Sequence, residues 1–483
     1  MKKNLTILDQ TSSAIFSSDK LLRAPVRGAF IGRAAVVTLG CAKNQVDSEV
    51  MLGVLARRGF QIVSDLDLAD VAIVNTCGFL QSSIEESLQR IVELADLKSS
   101  GRLRKLIVAG CLVERFKGEL RPELEEVDSF VSVDEILNVG ALAAGETAGD
   151  LFSSAERPYF IYDEKCPRIL STPSHYGYVK ISEGCDRPCA FCIIPKLRGR
   201  FRSRSQESIL SEIALLARSG VKEFNLVAQD LTAYGDDLGG GYNISSLLRA
   251  IGKQGVAEWV RLLYTYPLGI SEELLSLIKD SERICKYLDI PLQHSSLPVI
   301  KAMRRPAGRF APRQLVEFVR ANAPEIKLRT TFIVGFPGES ERDVEDLCAF
   351  VGEGHFESVG VFTYSAEEGT PAAEMSGRIS EAEKEARKAA VMLAQRKVWE
   401  RKAFSLVGGE MRVLVDGAHE ESDLLISARA EFQAPEVDGV VIINNLPDEL
   451  LASGVDLRGK FARVRVSQPL GYDLVAECLK IED

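Results

Sequence analysis

Three short apolar runs stand out in the first third of the chain. They do not alternate with polar residues, they are rich in β-branched side chains, and they span residues 34–38, 71–75 and 106–109. Runs of this kind are typical of strands that are buried on both faces of a parallel sheet. Helical patterns at Val46–Arg58 and Ser82–Leu97 separate them, so each gap suits one strand–helix–strand crossover. The pattern predicts a parallel sheet covered by helices at residues 34–145.

A second series of strand-like runs follows residues 146–174, where periodicity fades and glycine, serine and proline accumulate. We interpret that segment as a linker. The six later runs alternate with helical patterns and lie at residues 178–182, 223–228, 259–264, 287–290, 328–334 and 358–363. Such repeats predict a partial, TIM-like β/α barrel over residues 175–407, which ends in a long helix at Ser380–Leu406.

Residues 408–483 change to short alternating runs separated by turns, which predict a small all-β barrel. Residues 1–33 show neither pattern, and we interpret them as a tail. The fold class is therefore α/β, with a parallel sheet first, a partial β/α barrel in the centre and an all-β barrel last.

Composition indicates a soluble globular protein, because 46% of the 483 residues are hydrophobic and the net charge is −10. No apolar run is long enough to span a membrane, and no secretory signal is found at the start of the sequence. We therefore expect a cytoplasmic protein with no membrane partner. Its ten cysteines are too few for a disulfide scaffold, so we expect them to be thiols.

Three of these cysteines lie in one short loop after the first strand of the predicted barrel. Cys185, Cys189 and Cys192 have the spacing C-x3-C-x2-C. Three thiolates in a short loop suit a cubane iron–sulfur cluster and leave its fourth iron free to bind a substrate. A zinc knuckle and a disulfide pair are the alternatives, but a structural zinc site requires four ligands and no fourth cysteine or histidine lies nearby.

Three more cysteines follow the three strands of the predicted parallel sheet. Cys41, Cys77 and Cys111 each come directly after a strand, so all three would project from the same edge of the sheet. Any one of them alone would be interpreted as a small buried hydrophobic residue. Three at equivalent positions indicate a second iron–sulfur cluster with three protein ligands.

The cysteine loop, with an aromatic residue before its third cysteine, resembles the signature of radical S-adenosylmethionine enzymes. The stretches LGCAKNQVDSE, NTCGF and GCLVERF look like the amino-terminal domain of the methylthiotransferase branch, and the terminal β barrel resembles a TRAM domain. The resemblance implies a flavodoxin-like amino-terminal sheet, a radical-SAM barrel and two [4Fe-4S] clusters. It also implies S-adenosylmethionine as the cofactor, an electron donor and a sulfur donor. One cluster would generate a radical, and the auxiliary cluster would hold the sulfur.

Candidate contacts to the cofactor lie at the carboxyl ends of the barrel strands, where barrels place their chemistry. No catalytic residue is predicted beyond the cluster ligands. By resemblance, the segment RTTFIVGFPGE holds the adenosyl part of the cofactor, although tight turns contain glycine in any case. Glu183 also looks like a cofactor contact, with a solvated glutamate as the equal alternative. The candidate contacts are Glu183, Gln229, Gly335, Gly338 and Glu339.

Two further features of the barrel admit two interpretations each. His294 lies just after a strand and could carry a proton, but we favour a hydrogen-bonded loop histidine. Arg198, Arg200, Arg202 and Arg204 occupy every second position, so an extended segment would present all four on one face. That face could bind an anion, or it could pair with acidic surface residues. The isolated cysteines are interpreted as structural: Cys166, Cys285, Cys348 and Cys478.

Charge distinguishes the two substrate classes that the resemblance implies, transfer RNA and a ribosomal protein. Residues 410–483 contain seven Lys/Arg and fifteen Asp/Glu, which disfavours RNA and favours a basic partner. The stretches LLYTYP, PLQHSS, KAMRRP and APEVDG look like the ribosomal-protein enzymes of the branch. They imply methylthiolation of the β-carbon of an aspartate in small-subunit ribosomal protein twelve, free or in the ribosome. A transfer-RNA adenosine methylthiotransferase and a nucleic-acid-binding protein with structural clusters remain the alternatives.

Overall fold

The computed structural model describes residues 30–446 and 456–482, so most of the predicted tail lies outside the described residues. The amino-terminal part is a parallel sheet with helices on both faces. Its elements are β1 (Gly32–Thr38), α1 (Ala42–Arg57), β2 (Phe60–Ile62), β3 (Val71–Thr76), α2 (Gln81–Ser99), β4 (Lys105–Gly110), α3 (Cys111–Phe116), β5 (Ser129–Val131) and α4 (Val139–Ala144).

The five strands of this sheet are ordered β2-β1-β3-β4-β5, which is the flavodoxin-like order. Alternate residues face different helices: Ile73 belongs to the same buried cluster as Val50 of α1, and Val74 to the same cluster as Ile91 of α2. Residues buried on both faces account for the unalternating apolar runs. The strand order reverses between β1 and β3, and open α/β sheets bind ligands at such a point.

The central part contains six parallel strands, as predicted. Its elements are β6 (Tyr176–Lys180), β7 (Ser182–Glu183), α5 (Ile194–Leu197), β8 (Arg202–Ser203), α6 (Gln206–Arg218), β9 (Glu223–Val227), α7 (Ile244–Gln254), β10 (Trp259–Leu262), α8 (Glu272–Asp280), β11 (Tyr287–Asp289), α9 (Leu297–Ala302), α10 (Pro312–Asn322), β12 (Lys327–Val334), α11 (Glu341–Gly352), β13 (Ser358–Thr363) and α12 (Glu381–Leu406).

The six parallel strands form two ladders, β6–β9–β10 and β11–β12–β13, and backbone hydrogen bonds join the ladders. Strands β7 and β8 form a separate antiparallel pair. The amide of Cys285 donates to the Val260 carbonyl over 3.0 Å, and the amide of Thr265 donates to the Asp289 carbonyl over 2.9 Å. The result is a partial barrel whose helices pack on the outside. Along these strands, apolar residues that face outward alternate with polar residues such as Asn225 and Arg261.

Helix α1 lies between the sheet and the barrel. All its residues from Lys43 to Ala56 are buried, including the polar ones. The Asp47 carboxylate pairs with Lys180 of β6, and Arg168 Nε donates to Glu49 over 2.8 Å. Arg168 comes from residues 146–174, which contain no helix or strand but are tied to both neighbouring parts by such contacts. This segment is therefore held by buried ion pairs.

The carboxyl-terminal part is a closed five-stranded barrel, as predicted, with the strand order β14-β15-β16-β18-β17. Its strands are β14 (Glu410–His419), β15 (Ser422–Ala430), β16 (Val441–Asn445), β17 (Phe461–Leu470) and β18 (Asp473–Glu482). No helix in the described residues is long and apolar enough to cross a membrane.

This terminal barrel docks on the amino-terminal ends of the central strands. His175, just before β6, has Nε2 2.7 Å from Asp416 Oδ1, and the Tyr287 hydroxyl donates to Asp438 over 2.7 Å. The contacts close the end of the partial barrel that lies opposite the cysteine loop. The carboxyl ends of the central strands face the amino-terminal sheet, because Arg198, in the segment between β7 and β8, contacts Cys111.

Candidate functional site

The first cysteine triad lies at the carboxyl edge of the parallel sheet, on both sides of its reversal point. Cys41 precedes α1, Cys77 follows β3, and Cys111 is the first residue of α3. The chain is tightly packed here, since a Cβ atom placed on Gly40 would lie 2.8 Å from Cys77 Cβ. Gly40 also has a φ of +94°, which favours glycine. The structure thus brings the three predicted residues to one edge.

Burial and neighbouring charges act differently on these three thiols. Burial raises the pKa of Cys111 to about 12, despite the guanidinium of Arg198 nearby. Burial also raises the pKa of Cys77. At Cys41, burial is outweighed by the charges of Lys43 and Arg198, so its pKa falls below the ordinary value. Buried thiols of high pKa become thiolates when a metal replaces the proton, as ligands to iron must.

The second triad lies in the loop between β7 and α5. Gly184, before Cys185, has a φ of +77°, and a Cβ atom there would lie 2.1 Å from the Arg200 carbonyl oxygen. The loop is held at its middle, because the Ala190 amide donates to the Met303 carbonyl over 2.9 Å and the Ala190 carbonyl accepts from Ala372 over 2.9 Å. These contacts fix the loop against the top of the barrel.

Burial also dominates the thiols of this loop. It raises the pKa of Cys185 to about 11 and that of Cys192 to about 12. Arg305 Nη1 lies 3.6 Å from Cys189 Sγ. All three are free cysteines, as are the three at the sheet edge.

The donor set of each triad fits an iron–sulfur cluster better than a single zinc ion. In the described residues, no three His, Cys, Asp or Glu side chains are placed to share one metal ion. A zinc site draws its ligands together around one atom, whereas a cubane cluster binds each thiolate at a different iron. Three thiols that are not placed to share one ion suit the second arrangement.

One buried ion network extends from the first triad toward the cysteine loop. Arg198 Nε donates to Cys111 Sγ over 3.1 Å, and its Nη1 donates to Asp47 over 2.7 Å and lies 3.3 Å from Glu183 Oε2. Lys180 Nζ pairs with the same two carboxylates, at 2.6 Å from Glu183 Oε2. Arg198 is 3% exposed and Glu183 is 2% exposed. The network therefore runs from Cys111 at the sheet edge to Glu183, two residues before Cys185.

Glu183 and Gln229, both predicted cofactor contacts, lie together. Gln229 Nε2 donates to Glu183, whose pKa is lowered by Lys180 and Arg198 although burial raises it. Glu183 is thus a buried carboxylate in the network and not a solvated side chain. Within the described chain, Gln229 Oε1 and the neighbouring Ser182 Oγ are buried without a hydrogen-bond partner. Unsatisfied polar atoms at a strand end suit a ligand that would supply the missing partners.

The glycine-rich turn after β12 is braced from inside. Gly335 has a φ of +78° and Gly338 has a φ of +81°, so both require glycine. Glu339 accepts from the Gly335 amide at 2.9 Å and from Arg387 at 2.8 Å. His294 Nε2 lies 3.5 Å from Glu339, and its Nδ1 accepts from the Ser296 amide over 2.9 Å. His294 is a buried loop residue that supports this turn, as we favoured.

The four alternating arginines do not share a face. The segment is not extended at Arg198, because α5 ends at the preceding residue. Arg198 enters the network described above, whereas Arg204 pairs with Glu212 and donates to the Lys180 carbonyl over 3.0 Å. Arg200 is exposed. The expectation of a common face was wrong, because the helical turn at α5 and two separate sets of carboxylates divide the series.

Sequence reasoning missed three buried charged residues of this site: Lys43, Asp47 and Lys180. The sequence did contain a signal for these residues, since α1 directly follows Cys41 and its first two turns carry polar residues on every face. The isolated cysteines Cys285 and Cys478 belong to apolar clusters, in agreement with their structural interpretation.

Comparison with known proteins places the three parts in known families. Residues 33–132 match the uncharacterized protein family UPF0004, residues 179–351 the radical SAM superfamily and residues 407–479 the TRAM domain. Among solved structures, the radical S-adenosylmethionine methyltransferase TsrM from Kitasatospora setae matches with a TM-score of 0.52 at 13% identity. The match covers 71% of this chain and 74% of that chain, and it shows the fold alone.

Two curated relatives match over almost the whole chain, and both carry the name ribosomal protein uS12 methylthiotransferase RimO. The protein of Anaeromyxobacter sp. (strain K) is 46% identical over 443 residues, which are 92% of each chain. That of Geotalea uraniireducens (strain Rf4) is 44% identical over 446 residues, which are 92% of this chain and 98% of the relative. This chain is therefore a radical-SAM methylthiotransferase and belongs to the family of ribosomal protein uS12 methylthiotransferases known as RimO.

Proposed function

We propose that this protein adds a methylthio group to the β-carbon of an aspartate in ribosomal protein uS12, using two [4Fe-4S] clusters and S-adenosylmethionine. Cys185, Cys189 and Cys192 would bind the cluster that acts on the cofactor. The auxiliary cluster would lie on the other triad, at Cys41, Cys77 and Cys111. The observation that carries the proposal is the buried network from Cys111 through Arg198 to Glu183, because it makes the two triads parts of one site.

When bound, these groups supply an electron, a hydrogen-abstracting radical and the methylthio group. The chain holds and orients them. Arg198 donates to Cys111 and so favours its thiolate form, as outer hydrogen bonds do at metal ligands. Glu183 and Gln229 would contact the cofactor through polar atoms such as the unpartnered Gln229 Oε1. Gly335 and Gly338 would let the backbone approach its adenosyl part, with Glu339 holding the turn.

The substrate is inferred from the names of the relatives and from charge. The terminal module has seven Lys/Arg and fifteen Asp/Glu. Asp416, Glu436 and Asp438 are used in docking to the barrel, and even without them carboxylates outnumber cations. An acidic surface suits a basic partner such as a ribosomal protein. Both partners would meet in the cytoplasm, and an electron donor and a sulfur donor complete the reaction.

We assign the auxiliary site to residues 34–145, the radical site to residues 175–407 and the TRAM module to residues 408–483, with residues 146–174 as the connection. The buried Arg168 and Tyr162 support a connection of fixed geometry, since both contact Glu212 of α6.

Mass spectrometry of uS12 tests the proposal. The anaerobically reconstituted, reduced protein should convert one aspartate of uS12 to its methylthio derivative and should release methionine and 5′-deoxyadenosine. The Cys185, Cys189 and Cys192 triple alanine variant should do neither. The matched variant of Cys41, Cys77 and Cys111 should still cleave the cofactor but should give no modified uS12.

Two results would contradict the proposal. Unmodified uS12 together with loss of methylthio-adenosine from transfer RNA in cells that lack the gene would identify an RNA enzyme. Failure of the fully loaded protein to cleave S-adenosylmethionine would indicate structural clusters.

A further inference from the structure

Lys43 is a buried cation at the auxiliary cysteine edge. It is the second residue of α1, two positions after Cys41, and it is 8% exposed. Its ammonium lies over the ring of Tyr264, with Nζ 3.4 Å from the ring centroid. Tyr264 follows β10, so it belongs to the carboxyl ends of the barrel strands, where barrels bind ligands. Lys43 thus bridges from the sheet edge to the mouth of the barrel.

The ammonium of Lys43 makes no ion pair with a carboxylate in the described chain. Burial lowers its pKa, but the charges of Cys41, Tyr264 and Glu183 raise it by more. No carboxylate of residues 30–446 or 456–482 lies within 4.0 Å of its Nζ, and Nζ makes no hydrogen bond there. The neighbouring buried cations differ: Lys180 pairs with Asp47 and Glu183, and Arg198 pairs with the same two carboxylates. The site therefore leaves one buried ammonium against an aromatic face, with no carboxylate of the described residues within 4.0 Å.

A buried ammonium in this position destabilises the protein unless a ligand supplies an opposite charge. An aromatic face contributes about 2 kcal/mol or more to a desolvated cation, whereas the desolvation of an ion costs several kcal/mol. The aromatic partner is itself held in a strained conformation, because Tyr264 has a φ of +64°. Its amide donates to Asp289 over 3.0 Å, which fixes that conformation. Strain that the surrounding structure maintains is common at ligand sites.

We propose that the Lys43 ammonium binds the side-chain carboxylate of the substrate aspartate and so selects aspartate as the modified residue. This inference rests on the proposed function. The carboxylate carbon of aspartate is bonded directly to the β-carbon, so an ammonium that holds the carboxylate holds the reacting carbon one bond away. Lys43 stands beside Cys41 and reaches Tyr264, which places that carbon between the auxiliary triad and the barrel mouth. A neutral asparagine would leave the buried charge unpaired.

Binding of two substrates distinguishes this role from a structural one. The reconstituted protein, without reductant, is titrated into fluorescent peptides of the uS12 loop that contain either the modified aspartate or asparagine in its place. Wild-type protein should bind the aspartate peptide about ten- to a hundredfold more tightly, the range of a charge-assisted hydrogen bond. Lys43→Met should bind both peptides with the weaker affinity. Lys43→Arg keeps the charge and should retain part of the preference.

Controls separate the alternatives. Lys301→Met, at an exposed lysine of α9, should leave the preference unchanged. If Lys43→Met does not fold, the comparison of the two peptides on wild-type protein and on Lys43→Arg still decides, since equal affinities for aspartate and asparagine would overturn the inference. A preserved preference in Lys43→Met would overturn it as well. Loss of S-adenosylmethionine affinity in Lys43→Met with the peptide preference intact would assign Lys43 to the cofactor carboxylate instead.

The outcomes are separable from failure of the proposed function. If wild-type protein does not modify uS12 at all, the proposed function fails. If it modifies uS12 and Lys43→Met still prefers aspartate, the role of Lys43 alone is refuted.

Discussion

Replacing Arg198 by methionine removes a side chain that contacts both Cys111 and Glu183. Its guanidinium is buried and donates to Cys111 Sγ over 3.1 Å and to Asp47 over 2.7 Å, with Glu183 Oε2 at 3.3 Å. Methionine keeps most of the apolar stem, so the change deletes the charge and the hydrogen bonds rather than the packing.

The expected loss in the free energy of unfolding depends on the ion pairs that remain after the substitution. Removing one partner of a buried ion pair costs about 3–5 kcal/mol, because the other charge stays buried. Lys180 still pairs with both carboxylates after the change, so we expect the lower end, about 3 kcal/mol. For domains of this size that loss lowers the midpoint of thermal unfolding by about 6–12 °C.

The assay compares Arg198→Met with Arg200→Met in the same loop. Arg200 is exposed, so its replacement should change the free energy of unfolding by less than about 0.5 kcal/mol. Thermal unfolding of the cluster-free proteins is followed by circular dichroism, and iron is measured after reconstitution. Arg198→Met should also retain less iron at the triad proposed for the auxiliary cluster, because Cys111 loses its hydrogen bond. Arg198→Lys should be intermediate, since one ammonium cannot reach every partner of the guanidinium.

Equal midpoints for Arg198→Met and Arg200→Met would refute the reasoning, because they would mean that the buried network contributes nothing to stability. A normal midpoint with reduced iron would show instead that Arg198 acts on the cluster alone.

Three further predictions concern the clusters, acid stability and the cysteine loop. Alanine in place of Cys185, Cys189 and Cys192 should halve the bound iron after reconstitution, and full iron content would show that this triad binds no cluster. Acid should destabilise the protein through Glu212. Burial raises the pKa of Glu212, but the charges of Arg204 and Arg168 lower it by more, so its pKa in the folded protein lies below the ordinary value. A lowered folded pKa gives stability that is present above the unfolded value of about 4.5 and is lost as pH falls below it, so urea unfolding of Glu212→Gln should depend less on pH between pH 5 and pH 3. An unchanged pH slope would exclude Glu212 as the source. Gly184→Ala should lose the iron of the loop, because its Cβ would lie 2.1 Å from the Arg200 carbonyl oxygen, whereas Gly239→Ala in an open turn should keep the iron.

The order of elements could be predicted from the sequence because each strand carries its own signal. Strands β3 and β4 are buried on both faces, as are Ala34 and Ala35 of β1, and their runs of apolar residues show it without reference to any partner. The short strands β2 and β5 were not predicted, since three residues are too few for a periodic pattern. The six cysteines that we propose as cluster ligands were likewise visible, because spacing in the loop and position after a strand are local properties.

The site between the two triads depended on contacts that no local pattern reports. Helix α1 is polar in sequence and buried in the structure, because the sheet lies on one side of it and the barrel on the other. Glu183 is a network residue because Lys180 and Arg198 reach it from different segments. The arginine series divides between carboxylates on α1 and α6 that are distant in sequence.

The sequence by itself determined the three parts, their order and the cysteines that could bind metal, since hydrophobic period and residue spacing act within one segment. Only the tertiary structure decided which charges neutralise each other and that Lys43 makes no ion pair with a carboxylate in the described chain. It also decided that Asp416 and Asp438 of the acidic terminal barrel dock on the amino-terminal ends of the central strands. The physical reason is that a buried charge is stabilised by whichever opposite charge the packing of separate segments brings within a few ångströms, and that distance is a property of the assembled fold.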